Sequence, residues 1–282
     1  MRIIQAVPFA LALVAFAPSI ATTAEDGAAR PKAYVFREYG APMDVMHLEE
    51  VDKPVPNENQ VLIKVHASSA NPADWHRIRG VPYLIRFDSG LFAPETPHLG
   101  IDVAGVIEAV GSNVTKFKPG DEIFGVARGA FGEYAIANQR RVAIKPVGMT
   151  FAEAAGVPVG AVTALQALQD KGQVQPGQKV LINGASGGVG TYAVQIAKAL
   201  GAEVTAVCST RNVELVRSLG ADHVVDYTKE DFAEAAARYD VVLDNVGNRS
   251  LSDIRRVLTP TGIHVLVGGG WLDGDQLIGP FS

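Results

Sequence analysis

KVLINGASGGVGTYAVQIAKAL, residues 179–200, begins with an aliphatic run, turns through GASGGVG and continues with an apolar stripe at helical spacing. Gly184, Gly187 and Gly190 stand at G-x-x-G-x-x-G spacing, with Gly188 as a further small residue and Val189 inside the motif. Val189, Ala193, Ile196 and Leu200 fall on one helix face, and Gly201 is placed to end that helix. A strand that turns sharply into a helix needs glycines for the turn, for close approach of a pyrophosphate and for tight helix–strand packing. The helix N-terminus then offers unpaired N–H groups and partial positive charge to phosphates. The order strand, motif, helix, second strand reads as a dinucleotide-binding unit; the alternative is a glycine-rich turn without a ligand.

The second strand, AEVTAVCS (202–209), ends where NAD sites carry an acidic residue about twenty positions beyond the motif. Here the stretch is VCSTRN, with no acid. Ser209, Thr210 and Arg211 offer hydroxyls and a guanidinium suited to a ribose 2′-phosphate, so NADP(H) is favoured over NAD(H). Arg211 as a solvated side chain is the alternative.

Outward from this unit, VELVRSLG and SLSDIRRVL read as helices, and HVVDY, YDVVLDNVG and GIHVLVGGG as strands. Alternation at this spacing predicts a parallel sheet covered on both faces, over residues 148–282. TFAEAAGVPVGAVTALQAL (150–168) reads as helical, with Thr150 as N-cap and Glu153 in the first turn. Residues 32–147 differ: KAYVFREY, QVLIKVHASSA, VAGVIEAVG and DEIFGVA are short strand-like runs separated by Gly and Pro, predicting a β-rich domain.

The chain of 282 residues is long enough for two domains. Its net charge of −5 comes without any Lys/Arg-rich run, which leaves a nucleic-acid partner unsupported. A single cysteine, Cys208, excludes an internal disulfide and any multi-cysteine zinc site; it reads as a core thiol. Residues 1–24 combine an early Arg, an uncharged apolar run and two small-x-small patterns, Ser19–Ala21 and Thr22–Ala24. They read as an export signal, which implies a periplasmic or secreted protein. An uncleaved membrane anchor, or a start placed too far upstream of a cytoplasmic enzyme, are the alternatives.

Eight ordered stretches carry a resemblance: NPADWHRIRG, PHLGIDVAGVIEAVG, FKPGDEIFG, GAFGEYA, GVPVGAVTALQAL, NGASGGVG, GADHVVDY and LDNVG. From about residue 32 onward the chain resembles the medium-chain dehydrogenase/reductase superfamily, within it the zinc-independent quinone oxidoreductase group. The resemblance implies an α/β protein: a GroES-like β-rich catalytic domain, a Rossmann domain and an active site between them. Members continue beyond the GIHVLVGGGWLDGDQLIGPFS stretch, so the Rossmann domain reads as truncated at its C-terminal end. Asn71 stands where the superfamily's zinc alcohol dehydrogenases have a zinc-binding Cys, and Ile101 and Asp102 stand at the His-Glu positions of G-H-E-x-x-G. Ile cannot bind zinc and an amide is a poor substitute for thiolate, so no catalytic zinc is expected. A makeshift set of Asp74, His76 and His98 is the remaining metal alternative.

By resemblance, Asn71 is an uncharged donor beside the nicotinamide and Asp74 lies in the same wall, orienting neighbours. His76 stands where some relatives carry Tyr and is a candidate to position substrate or donate a proton, a surface or structural histidine being the alternative. Thr163 lies beside the nicotinamide, Tyr227 against the adenosine phosphate, and Asn245 along the cofactor groove, while the Val267 and Gly268 backbone approaches the carboxamide. The implied activity is NADPH-dependent hydride transfer to a quinone or an α,β-unsaturated carbonyl, by a homodimer, with a proton from solvent. The rival readings are a non-catalytic NADP-binding protein and a broad NAD(P)-dependent alcohol dehydrogenase or aldehyde reductase.

Overall fold

The computed structural model describes residues 29–267, 270–272 and 276–278; the leader and Gly268 lie outside them. The β-rich half runs β1 (Lys32–Val35), α1 (Pro42–Val45), β2 (His47–Glu50), β3 (Gln60–Ala67), α2 (Pro72–Arg79), α3 (Arg86–Ser89), β4 (Asp102–Val110), β5 (Glu122–Val126), β6 (Tyr134–Asn138) and β7 (Val142–Ile144). Five of these strands form one antiparallel sheet in the order β6-β3-β4-β5-β7. Successive strand residues point to opposite faces. Val61 and Ile63 of β3 therefore enter one buried cluster with Val103, Ile107 and Ile123. On β4, Ala104 faces the other way and meets Ala154 and Ala155.

Those two alanines sit on α4 (Phe151–Ala155), which opens with the expected cap. Glu153 N–H donates to Thr150 Oγ1 at 3.2 Å, and Thr150 N–H donates to Glu153 Oε2 at 2.8 Å. The single helix expected from residue 150 to 168 is in fact interrupted. Pro158 lacks the N–H that a continuing ladder needs and instead starts α5 (Pro158–Leu165), a position where no N–H is required. A π-type stretch, Gln166–Lys171, extends α5.

The second half continues β8 (Lys179–Asn183), α6 (Gly188–Ala199), β9 (Glu203–Cys208), α7 (Val213–Ser218), β10 (His223–Asp226), β11 (Tyr239–Asp244), α8 (Leu251–Val257) and β12 (Leu258–Leu266); a small pair, β13 (Gly270–Leu272) and β14 (Gln276–Ile278), follows. Its main sheet is parallel throughout, in the order β10-β9-β8-β11-β12. Val180 and Ile182 of β8 pack with Ala193, Val194 and Ala197 of α6. Leu181 between them packs on the opposite face with Ile254 and Val257 of α8. This two-sided burial explains why β8 reads as an unbroken apolar run. Consecutive connections leave β8 toward β9 on one side and return to β11 on the other. The crevice between the C-terminal ends of β8 and β11 is thus the switch point where open α/β sheets bind ligands.

Candidate active site

The crevice holds a cavity of about 580 Å³ lined by the glycine loop, the end of β9, Tyr227 and the turn after β11. Gly184 has φ +77°, the left-handed region where a side chain is strained, and it turns the chain off β8. Gly187 is the N-cap of α6 and supplies no side-chain cap, so the first N–H groups of the helix face the cavity without an internal partner side chain. Nothing lies within 4 Å of where a Gly188 Cβ would stand. Across the crevice, Asn245 Nδ2 donates to Asn183 O at 3.1 Å, while its Oδ1 is buried with no partner among the described residues. An uncapped helix N-terminus, a glycine turn with open space at Gly188 and an orphaned amide oxygen fit a dinucleotide.

The end of β9 differs in detail from the sequence expectation. Thr210 Oγ1 donates to Asp226 Oδ2 at 2.6 Å and lies 2.9 Å from Thr228 Oγ1, so its proton supports the loop rather than a ligand. That hydroxyl is the leading cause holding the Asp226 carboxyl far below the ordinary carboxylate range. Ser209 is tied through Asn212, whose Nδ2 donates to Ser186 Oγ at 3.0 Å and to Ser209 Oγ at 3.3 Å. Arg211 is exposed and in no ion pair among the described residues. Cys208 is buried, and burial pushes its thiol above the usual range, as a core cysteine requires.

The facing wall comes from the β-rich half. NPADWHRIRG, which carries little apolar periodicity, is the helix α2, with Asn71 as N-cap, Pro72 in its first turn and Gly80 at φ +61° closing it. Pro72 lines the cavity. Asp74 is buried and its carboxylate accepts from Asn71 N–H at 2.9 Å, the return arm of a helix cap. Burial pushes its carboxyl above the ordinary range, against the pull of that Asn71 N–H, and nearby Asp102 adds to the rise. Asn71 Nδ2 donates to Asp102 Oδ2 at 3.0 Å and lies 3.4 Å from Ser69 O. His76 Nδ1 is 2.9 Å from Val81 O, at the far end of α2. Burial and the guanidinium charges of Arg128, Arg77 and Arg37 lower the pKa of His98. Among the described residues no three His, Cys, Asp or Glu side chains gather into a metal-sized group, so Asp74, His76 and His98 form no makeshift site.

Seven of the expected site residues line the cavity together: Gly184, Gly187, Gly188, Val189, Gly190, Tyr227 and Asn245. Asn71 adjoins it through Pro72. Asp74, His76 and Thr163 do not line it: the first caps α2, the second faces Val81, and Thr163 rides on α5. Ser209, Thr210 and Arg211 stand just beyond its rim, after the lining residue Cys208. Val267 N–H donates to Asp244 O at 2.9 Å, which sets it beside Asn245, and Gly268 falls outside the described residues. Sequence reasoning missed Ser186, Asn248 and Arg249, all of which line the cavity. Arg249, whose guanidinium lies 3.1 Å from Asp231, is the cationic side chain of that lining, and its position just after LDNVG was the available signal.

Two family descriptions match the chain: "Alcohol dehydrogenase GroES-like domain" over residues 57–158 and "Zinc-binding dehydrogenase" over residues 188–281. It is 40% identical over 229 residues to 2-methylene-furan-3-one reductase of Solanum lycopersicum, and 39% identical over 229 residues to the NADPH-dependent alkenal/one oxidoreductase, chloroplastic, of Arabidopsis thaliana. Each match covers 77% of this chain, and the chain spans 57% of the length of each of these curated relatives. The solved quinone oxidoreductase of Coxiella burnetii superposes with a TM-score of 0.74 at 33% identity, covering 82% of this chain and 74% of that one. Despite the second description, the residues here do not fit a catalytic zinc. Asn71 offers an amide, Ile101 offers no donor atom, and the Asp102 oxygens already accept from Ser69, Asn71 and Val159. The two five-stranded sheets, one antiparallel and one parallel, the glycine crevice and these matches place the chain in the medium-chain dehydrogenase/reductase superfamily, in its quinone oxidoreductase-like group.

Proposed function

We propose that the protein is an NADPH-dependent oxidoreductase that reduces a quinone or an α,β-unsaturated carbonyl without zinc. The observation that carries this reading is the juxtaposition of a dinucleotide cradle with a wall that holds Asn71, Ile101 and a buried Asp102 whose two oxygens both accept hydrogen bonds, at the positions where the resemblance puts zinc ligands. The names of the relatives, an alkenal/one oxidoreductase and a quinone oxidoreductase among them, support the acceptor class. NADPH, when bound, supplies a hydride from nicotinamide C4, and one proton reaches the acceptor from solvent. The α6 N-terminus and Gly184–Gly190 hold the pyrophosphate, Asn245 Oδ1 accepts from a ribose hydroxyl or the carboxamide, and Arg211 pairs with the 2′-phosphate. Asn71 positions the acceptor oxygen: beyond its bond to Asp102, its amide makes only the long approaches to Ser69 O at 3.4 Å and Ser69 Oγ at 3.5 Å, which a carbonyl oxygen can replace. Residues 32–147 form the catalytic domain and 148–282 the cofactor domain, and the working unit is a homodimer.

The test is NADPH oxidation by purified protein against quinones, enones and aldehydes, with and without a chelator. Turnover of quinones or enones that is indifferent to the chelator is the expected result. Loss of turnover on chelation overturns the zinc-free chemistry, and tight NADPH binding without turnover of any acceptor marks a binding protein. Cofactor choice has its own check. Arg211→Ala should raise the NADPH Kd about 10- to 100-fold, the worth of a charge-assisted hydrogen bond, and leave the NADH Kd within about threefold. Equal losses for both cofactors would remove Arg211 from the 2′-phosphate.

A further inference from the structure

Asp102 is fully buried, and its side chain joins the two halves of the molecule. One carboxylate oxygen, Oδ2, accepts from Ser69 Oγ at 2.7 Å and from Asn71 Nδ2 at 3.0 Å. The other, Oδ1, accepts from the Val159 backbone N–H at 3.1 Å. Val159 lies in the first turn of α5, where N–H groups have no intrahelical partner and the helix dipole favours negative charge. The link continues beyond that turn. A Cβ on Gly160 would stand 3.2 Å from the Tyr192 ring and 3.3 Å from Gly188 O, so α5 rests directly on the start of α6. Tyr192 OH also donates to Gly156 O at 3.2 Å.

We propose that Asp102 is a positioning residue that fixes the distance between Asn71 and the cofactor cradle by bridging the Asn71 amide to the first turn of α5. The inference rests on the reading of the crevice as an NADPH site with Asn71 facing the acceptor. A carboxylate suits this place because all the groups around it are donors. An asparagine here must turn its NH₂ either toward Val159 N–H or toward Asn71 Nδ2, and either choice breaks one arm of the bridge. A 1 Å misplacement of a positioning group costs on the order of 100-fold in rate.

The experiment compares wild type, Asp102→Asn, Asn71→Ala and the double variant. Asp102→Asn should lower kcat on the best acceptor about 30- to 100-fold while the NADPH Kd stays within threefold. The double variant should be no slower than Asn71→Ala alone, because Asp102 acts through Asn71. Independently of turnover, the Val159 amide should exchange hydrogen at least tenfold faster in Asp102→Ala, which removes both arms of the bridge. Additive losses in the double variant, an unchanged kcat, or unchanged exchange at Val159 overturn the proposal. A wild type that binds NADPH but reduces no acceptor defeats the enzyme reading separately, and the exchange measurement then decides whether the bridge exists. If Asp102→Asn fails to fold, Asp102→Glu, which shifts the carboxylate by one methylene, carries the same measurements with the same expected directions.

Discussion

Gly190→Ala should weaken NADPH binding at least 100-fold, about 3 kcal/mol, although alanine is the better helix former. Helix propensity favours alanine over glycine by about 1 kcal/mol, so the sign of the effect is decided by sterics. A Cβ at residue 190 would stand 2.1 Å from Gly184 O and 2.7 Å from the Ala185 carbonyl carbon and Cα. These are backbone atoms that no rotamer change can clear. Either α6 lifts from β8 or the Gly184 turn moves. Gly184 O also accepts from Gly187 N–H at 3.1 Å, so the N-cap of α6 moves with it. Gly188→Ala is the control, since nothing lies within 4 Å of its Cβ; its cofactor-free melting temperature should equal or exceed that of wild type. NADPH titration by fluorescence, with thermal melts in the absence of cofactor, checks both variants. A Gly190→Ala protein that binds NADPH as wild type does would remove the pyrophosphate from this cradle.

The contrast between Gly190 and Asp102 shows what was readable in the chain. The cradle is local: strand, turn and helix are contiguous, the pattern period changes within residues 179–200, and Gly184 and Gly190 have steric reasons at the spacing the motif shows. The parallel sheet follows from the same alternation. The β-rich half was legible only as a class. Its strands β2, β6 and β7 are short, and β2 is mostly exposed, so no buried alternation marks it. Helix α2 buries only Asp74 and Ile78, too few to make a stripe; the usable signal was Asn71-Pro72, Asp74 three residues after the cap and Gly80 at the end.

Asp102 was legible only through the resemblance, as a residue at a zinc-enzyme position. Its decisive partner is the backbone N–H of Val159, 57 residues away, and a backbone donor leaves no mark on residue identity. Thr210 was harder to read for a related reason. Its hydroxyl is the right group in the right loop, but Asp226 on the neighbouring strand takes its proton. Residue type at a strand end indicates what a side chain can do, and the adjacent strand decides whether it remains available to do it.

Asp244→Ala should destabilise the protein by about 3 kcal/mol and lower its urea midpoint by about 1 M, a large share of the stability of an ordinary domain. Asp244 ends β11 and is 1% exposed. Its Oδ1 accepts from Asn183 Nδ2 at 2.9 Å, Val246 N–H at 3.0 Å and Gly247 N–H at 2.8 Å, and Oδ2 lies 3.7 Å from His264 Nε2. Truncation leaves these buried donors unsatisfied and releases the turn that presents Asn245, so NADPH affinity should fall together with stability. Burial alone would raise this carboxyl, but nearby His264 and the donors Gly247, Val246 and Asn183 outweigh it and hold the pKa below the ordinary value. A native pKa below the unfolded one means that the carboxylate's contribution is complete above about pH 4 and fades as pH falls through the native value. Asp244→Asn keeps an acceptor for all three donors but has no proton to gain. The stability gap between wild type and Asp244→Asn should therefore narrow as urea melts are carried from pH 6 toward pH 3, about the range in which an aspartate titrates. A gap constant across that range would show that the charge on Asp244 contributes nothing, leaving hydrogen-bond geometry alone to hold the turn beneath the cofactor crevice.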